Sequence, residues 1–230
     1  MAEPVTRSRL VQVSRQLLVE GGQDAVVVRE VARRLGVTAP ALYKHVAGRD
    51  DLLTLLISAC FSEVAATCAQ GADAVGGDDP AARLRAAAWA FRCWARDHPA
   101  EFVLLYGSPV PGYAAPQDGP TTEAARTIAE VFLRLYGDLV RAGRLRTTAP
   151  EDLPPGLAAE LEGWARATGT PLTPSQLHPV LVGWQQMLGL ALVETGGHLA
   201  WALGDTEAFV ADRLDDLVAA LVLPDDATER

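Results

Sequence analysis

Hydrophobic positions repeat at helical spacing along almost the whole chain. In the first segment, Leu10, Val13, Leu17 and Leu18 fall on one face of a helix that begins after Thr6 and ends at Gly21-Gly22. Similar segments follow, separated by glycine- and proline-rich stretches, and none shows the alternation typical of a strand. The pattern therefore predicts an all-α protein, with further helices over 28–35, 40–46, 49–70, 80–97, 100–106, 122–142, 157–168, 175–196 and 206–222.

The second and third predicted helices are short, and a tight turn at Gly36 joins them. This is the helix-turn-helix arrangement. We expect the inner faces to hold Val31, Ala32, Leu35, Val37, Leu42 and Val46, and the outer edge to hold Thr38, Ala39, Pro40, Ala41, Lys44 and His45. A small, smooth edge of this kind fits a DNA major groove. The plain alternative is a helical hairpin that only packs.

The distribution of charge separates the first 49 residues from the rest. The chain has 230 residues and a formal net charge of −9, which on its own argues against an anionic partner. Residues 1–49, however, contain eight basic and four acidic side chains, a net charge of +4, and the remaining residues therefore carry −13. Such asymmetry indicates different partners for the two parts, with DNA at the N-terminal one.

Composition gives no support to several other classes of protein. Three cysteines without paired spacing and four histidines predict neither a disulfide framework nor a metal site. No cofactor motif or catalytic constellation stands out. The N-terminus lacks the apolar run of a secretory signal, and the apolar run at 180–193 is too short to cross a bilayer. We expect a cytoplasmic protein that is neither an enzyme nor a membrane protein.

The stretch LGVTAPALYKHVAGRDDLL (35–53) resembles the TetR family of transcriptional regulators, and the resemblance extends over about residues 6–60. It implies a DNA-binding domain over 1–52, whose third helix reads the major groove, and a ligand-binding and dimerisation domain over 53–230. It also implies DNA contacts for eight residues: Arg29 as a reader of one base, Thr38, Ala39 and Pro40 at the leading recognition positions, and Tyr43, Lys44, His45 and Arg49 on phosphate or sugar.

Two departures from the family pattern affect the expected DNA contacts. Val27 and Val28 stand where many relatives have a threonine that caps the second helix and touches phosphate. The side chains of Ala39 and Ala41 form no hydrogen bonds. Base readout is therefore expected to depend on Arg29, Thr38, Lys44 and methyl contacts, with a contribution from DNA shape.

The second part of the chain resembles a C-terminal domain type of TetR-like proteins that is named for its Trp, His and Gly. The resemblance is carried by Trp94, His98-Pro99, Tyr106-Gly107 and Pro109-x-Pro-Gly-Tyr113, and later by Gly183-Trp184, Gly189-Leu190, Val193-Glu194 and Gly197-His198-Leu199. It implies a helical sensor and a helix that forms the dimer, but it does not identify the ligand.

Two sets of residues are candidates for the dimer interface and the ligand pocket. The small residues Gly183, Gly189 and Ala191, with the stripe Phe209, Leu214, Leu217, Val218 and Leu221, predict an intersubunit four-helix bundle. An internal pair of core helices is the alternative. For the pocket we expect Phe91, Trp94, Phe132, Tyr136, Trp184, Gln185 and Met187, with His178 as a further polar contact, although each of these is individually more typical of core.

The sequence therefore predicts a homodimeric regulator that binds a palindromic operator in double-stranded DNA. We expect a repressor that a small, mostly apolar effector releases. A helical protein-interaction module, or an enzyme without a recognisable motif, remains the alternative.

Overall fold

The computed structural model describes residues 4–115 and 119–224. Within these residues the regular structure is helical, apart from one isolated antiparallel bridge between Leu145 and Val222. The predicted all-α class is confirmed. The helices are α1 (Arg7–Gly21), α2 (Val28–Leu35), α3 (Ala39–Leu42), α4 (Arg49–Asp73), α5 (Pro80–Asp97), α6 (Pro99–Tyr106), α7 (Pro120–Arg141), α8 (Pro155–Thr168), α9 (Pro174–Thr195) and α10 (Glu207–Leu221), with 3₁₀ turns at Gln23–Ala25 and Pro150–Asp152.

The chain divides into two compact units. The first unit comprises Met1–Ala66 and Asp97–Ile128, and the second comprises Thr67–Arg96 and Ala129–Arg230. The boundary proposed from the sequence, between residues 52 and 53, lies within the uninterrupted helix α4. Because the first unit includes Asp97–Ile128, it contains α6 in addition to the N-terminal helices.

The core of the first unit follows the predicted pattern. Leu10, Leu17 and Leu18 of α1 are buried, and Thr6 caps this helix by accepting a hydrogen bond of 3.3 Å from the Arg9 amide. Helix α2 ends at Gly36 as expected, and α1 packs against both α2 and α6.

Helix α4 is long and apolar enough to cross a membrane by length and composition, with a window of mean hydropathy 1.8. Sequence inspection considered only the apolar run at 180–193 and overlooked this helix. Leu52, Leu53 and Leu56 are at most 1 % exposed. Because these side chains are covered by protein, this part of α4 is buried like a core helix. A core helix can meet the length and composition criteria for a membrane span without crossing a membrane.

In the second unit, α10 packs against α9 along much of the stripe assigned to the dimer interface. Leu214, Leu217 and Leu221 are buried within the chain, and a Cβ added to Gly183 would lie 3.0 Å from Leu221 Cδ1. These residues pack within the chain, as the alternative of an internal helix pair predicts, because the small residue in α9 admits a neighbour from the same chain. The intersubunit bundle stays a prediction. Phe209 remains 38 % exposed.

A buried ion pair links α5 to the end of α9. The Arg92 and Glu194 side chains are 3 % and 7 % exposed, and Arg92 Nε donates to Glu194 Oε2 over 2.8 Å. The Thr206 hydroxyl donates to Glu194 Oε1 over 2.6 Å. Burial of the Glu194 carboxyl disfavours its charged form, but the hydrogen bonds from Arg92 and Thr206 outweigh this effect, so the pKa of Glu194 is below its usual value.

We expect Glu194→Gln to lower the free energy of unfolding by about 3 kcal/mol at pH 7, because the Arg92 charge stays buried without its main partner. A carboxyl with a lowered pKa contributes stability above its unfolded pKa and loses that contribution as the pH falls. The difference between the wild type and Glu194→Gln should therefore shrink below pH 4.5, the ordinary pKa of the group. Urea unfolding at several pH values measures this.

The matched control is Arg85→Gln, which breaks an exposed pair with Asp215 on the same helix α5. That substitution should change the unfolding free energy by less than about 1 kcal/mol. An equal cost for the two substitutions would contradict a special role for the buried pair.

Candidate nucleic-acid interface

The turn between α2 and α3 depends on the left-handed backbone of Gly36. Its φ is 68° and its ψ is 29°, a region that residues with a Cβ adopt only at a cost. The Val37 amide then donates to the Ala32 carbonyl over 3.0 Å and closes the end of α2. This reversal brings the chain directly to Thr38, where α3 begins.

Helix α3 begins as predicted but is shorter. Thr38 accepts a hydrogen bond of 3.3 Å from the Ala41 amide, and the α-helix ends at Leu42 rather than near Val46. Beyond Leu42 the chain continues as a tighter turn, in which the His45 amide donates to the Leu42 carbonyl three residues earlier over 2.9 Å. Leu42 and Val46 are buried, at 0 % and 3 % exposure, so both ends of this segment are fixed to the core.

The residues expected to contact DNA are mostly on the surface of the first unit. The structure leaves six of them exposed and two, Ala39 and Arg49, half-buried; the exposed ones are Arg29, Thr38, Pro40, Tyr43, Lys44 and His45. Val31, Ala32 and Leu35 lie on the opposite, buried side of α2, whereas Val37 is only half-buried. The predicted division into an inner and an outer face is therefore observed, except that Val37 of the inner set is only half-buried.

Ion pairs within the unit neutralise two of the arginines that contributed to the N-terminal charge of +4. Arg33 Nε donates to Glu30 Oε2 over 2.9 Å, and Arg34 Nη1 donates to Glu20 Oε1 over 2.9 Å. The hydrogen bond from Arg33, supported by Arg34, lowers the pKa of Glu30 to about 2, so this carboxyl is charged at neutral pH. Both arginines thus have acidic partners on the surface of α1 or α2.

Arg29 and Lys44 differ from these arginines because neither forms an ion pair or side-chain hydrogen bond with the described residues. Both are exposed, on α2 and just beyond α3, the two helices of the helix-turn-helix. The accessible positive charge in this region is therefore held by side chains that the sequence assigned to DNA. A phosphate or a base edge that approaches Arg29 or Lys44 therefore does not have to displace an acidic side chain of the described residues.

Arg49 has an internal role that sequence inspection did not detect. Its Nη2 donates to the Gln23 carbonyl over 3.1 Å and lies 3.5 Å from Asp24 Oδ1. The arginine thus joins the start of α4 to the 3₁₀ turn after α1. With the side chain 27 % exposed, part of the guanidinium still reaches solvent.

A second polar cluster inside the first unit was also missed. Arg15 of α1 donates to Glu63 of α4, and its Nε lies 3.4 Å from Oε1 of the buried Glu101 in α6. His98 Nε2 is 3.1 Å from Glu63 Oε1. His98, which the sequence analysis named only for its resemblance to the C-terminal domain type, therefore belongs to this cluster. The spacing of polar residues along the sequence gives no signal for contacts between residues that are 35 to 86 positions apart.

The predicted pocket residues of the second unit are largely packed together as core. Trp184 contacts Phe91 and Phe132, with ring centroids 5.6 Å and 6.1 Å apart. Tyr136 lies close to Gly183. Trp94 and Met187 are buried, whereas Gln185 is exposed. His178 Nδ1 is 2.8 Å from the Thr148 hydroxyl. The arrangement explains the burial of these aromatic rings through mutual packing, and their contact with a ligand remains a prediction.

Among residues 4–115 and 119–224, no group of three or more His, Cys, Asp or Glu side chains is placed to hold a metal ion.

Comparison with known proteins identifies relatives that cover nearly the whole chain. The HTH-type transcriptional regulator Rv1816 of Mycobacterium tuberculosis is 29% identical over 215 residues, which are 94% of this chain and 91% of the relative. The regulator Mb1846 of Mycobacterium bovis matches to the same extent. The crystal structure of a regulatory protein designated SCO4313 has a TM-score of 0.72 and 28% identity, covering 93% of this chain and 95% of the other.

More distant structures share the fold. A protein from Rhodococcus sp. RHA1 superimposes with a TM-score of 0.72 at 22% identity, over 96% of this chain and 97% of the other.

Two family models also match the chain. One, described as "Bacterial regulatory proteins, tetR family", covers residues 10–56 and thus the helix-turn-helix. The other, described as "Tetracyclin repressor-like, C-terminal domain", covers residues 84–217. Since the second match alone spans more than half of the chain, the protein belongs to the TetR family of DNA-binding transcriptional regulators.

Proposed function

We propose that the protein is a homodimeric, cytoplasmic repressor that binds a palindromic operator and is released by a small, mostly apolar effector. The observation that carries the DNA part of the proposal is that Arg29 and Lys44 are exposed and have no partner among residues 4–115 and 119–224. Each subunit would place α3 and its flanking residues in the major groove of one half-site. Tyr43, His45 and Arg49 would contact the backbone and set the register.

The surface of α9 supports a two-fold assembly. Leu181, Gln185, Leu188, Gly189 and Leu192 follow one another at spacings of four, three, one and three residues, so they share a helix face. They are exposed or half-buried, unlike Gly183 and Ala191 on the other side of the helix. A largely apolar helix face with a glycine near its middle permits close approach of the same face from a second copy.

The effector would act by shifting the population of the dimer towards a form whose two DNA-binding domains no longer match the half-sites. The aromatic residues around Trp184 are the proposed contacts, with Trp94 and Met187, whereas Gln185 is exposed on the α9 face proposed for the dimer. Because the aromatic rings pack against one another, an effector there would have to open the cluster, and binding would therefore be coupled to rearrangement of the second unit.

Selection of bound sequences from random double-stranded DNA tests the proposal. We expect enrichment of an inverted repeat, because a two-fold dimer presents two identical DNA-binding domains. The half-site centres should be separated by about 34 Å or by a multiple of that distance. Enrichment of single, non-repeated sites would contradict binding as a symmetric dimer. Failure to enrich any sequence would contradict operator recognition.

The effect of Arg29→Ala separates base reading from general attraction. We expect this substitution to relax the preference at one base position in each half-site, at a cost of about 1–3 kcal/mol for the preferred base. Arg33→Ala is the matched control, because Arg33 lies on the same helix but is paired with Glu30. Unchanged base preference in Arg29→Ala, measured by competition in a gel-shift assay, would remove Arg29 from the readers.

A further inference from the structure

A cleft in the second unit combines an apolar floor with an arginine rim. It has a volume of about 190 Å³ and lies where the end of α4 meets α5 and α7. An adjoining opening of about 340 Å³ shares Arg83, Asp138 and Arg141 with it. The adjoining opening by itself has a volume within the range of small-molecule sites. The floor is formed by Ala69, Ala72, Val131 and Leu135.

The rim contains three arginines and two aspartates. Arg83 bridges the two acids, with Nη1 3.0 Å from Asp138 Oδ2 and Nη2 3.2 Å from Asp73 Oδ1. Arg141 pairs with the other oxygen of Asp138. Both acids are therefore already engaged by Arg83 and Arg141, and these pairs hold the two guanidinium groups in place beside the cleft.

Arg134 is the third arginine of the rim, and it has no ion pair or hydrogen bond with the described residues. It is exposed on α7, one helical turn from Asp138. The rim of the 190 Å³ cleft therefore has one positive charge in excess, whereas Asp78 adds an acidic group to the lining of the adjoining opening. This local excess stands out because residues 50–230 together carry −13. A single uncompensated arginine beside an apolar floor matches a ligand with one negative charge and an apolar body.

We propose that this cleft binds an amphipathic organic monocarboxylate. The carboxylate accepts hydrogen bonds from the Arg134 guanidinium, and the apolar part covers Val131, Leu135 and the two alanines. A ligand with two negative charges would have one charge that Arg134 does not neutralise. A neutral analogue would leave the Arg134 guanidinium without an anionic partner. The site is separate from the aromatic cluster around Trp184, and the inference does not rest on operator binding or on release from DNA.

Isothermal titration calorimetry on the full chain without DNA tests this with three defined probes: sodium octanoate, octan-1-ol and inorganic phosphate. We expect saturable binding of octanoate, and binding at least tenfold weaker for octan-1-ol and for phosphate. Arg134→Gln should weaken octanoate binding tenfold or more. Because Arg134 is exposed and forms no pair with the described residues, this substitution leaves the fold intact, which circular dichroism and the melting temperature verify.

Arg126→Gln is the control, since Arg126 is an exposed arginine on the same helix that does not line the cleft. It should leave octanoate affinity within twofold of the wild type. Absence of octanoate binding, equal affinity for octan-1-ol or phosphate, or equal effects of Arg134→Gln and Arg126→Gln would each overturn the proposal.

Discussion

An acidic protein binds DNA only where its surface presents positive charge that is not already neutralised. The net charge of −9 repels phosphate at long range, so the interaction depends on local excess. In the first unit, Arg33 and Arg34 are paired with Glu30 and Glu20, whereas Arg29 and Lys44 are exposed and have no acidic partner in the part of the chain that the structure describes. Among the described residues, the internal pairing thus leaves accessible positive charge on α2 and beside α3, at Arg29 and Lys44, and at the start of α1, at Arg7. The acidic remainder of the chain disfavours other orientations on DNA, which favours specificity over raw affinity.

The position of those few side chains depends on contacts that fix the surrounding helices. Arg49 joins α4 to the turn after α1, and Arg15 contacts carboxylates from both α4 and α6. Because Glu101 is buried, its charge and that of Arg15 hold each other in place at a defined geometry. Helix α6 is thereby part of the same compact unit as the helix-turn-helix.

The helical fold and the helix-turn-helix could be predicted from the sequence because their signals are local. Thr6, Gly36 and Thr38 mark helix ends through their own backbone and capping preferences, and the apolar spacing identifies the buried faces. The length of α3 was not predicted, since the change to a tighter turn after Leu42 has no strong sequence signal. The roles of Arg15 and Arg49 were missed because their partners are distant in sequence or are backbone atoms. The stripe on α10 was assigned to a dimer because an apolar helix face looks the same whether its neighbour belongs to the same chain or to a second copy.

The salt dependence of binding to a fixed operator duplex tests most directly whether only the unpaired cations meet phosphate. For each phosphate contact removed, the slope of log affinity against log salt concentration falls by about 1. We expect Lys44→Gln to lower the magnitude of the slope by about this amount, and Arg33→Gln, whose partner is Glu30, to leave it unchanged. Equal reductions for the two variants, or no reduction for Lys44→Gln, would contradict the central role of internal charge pairing.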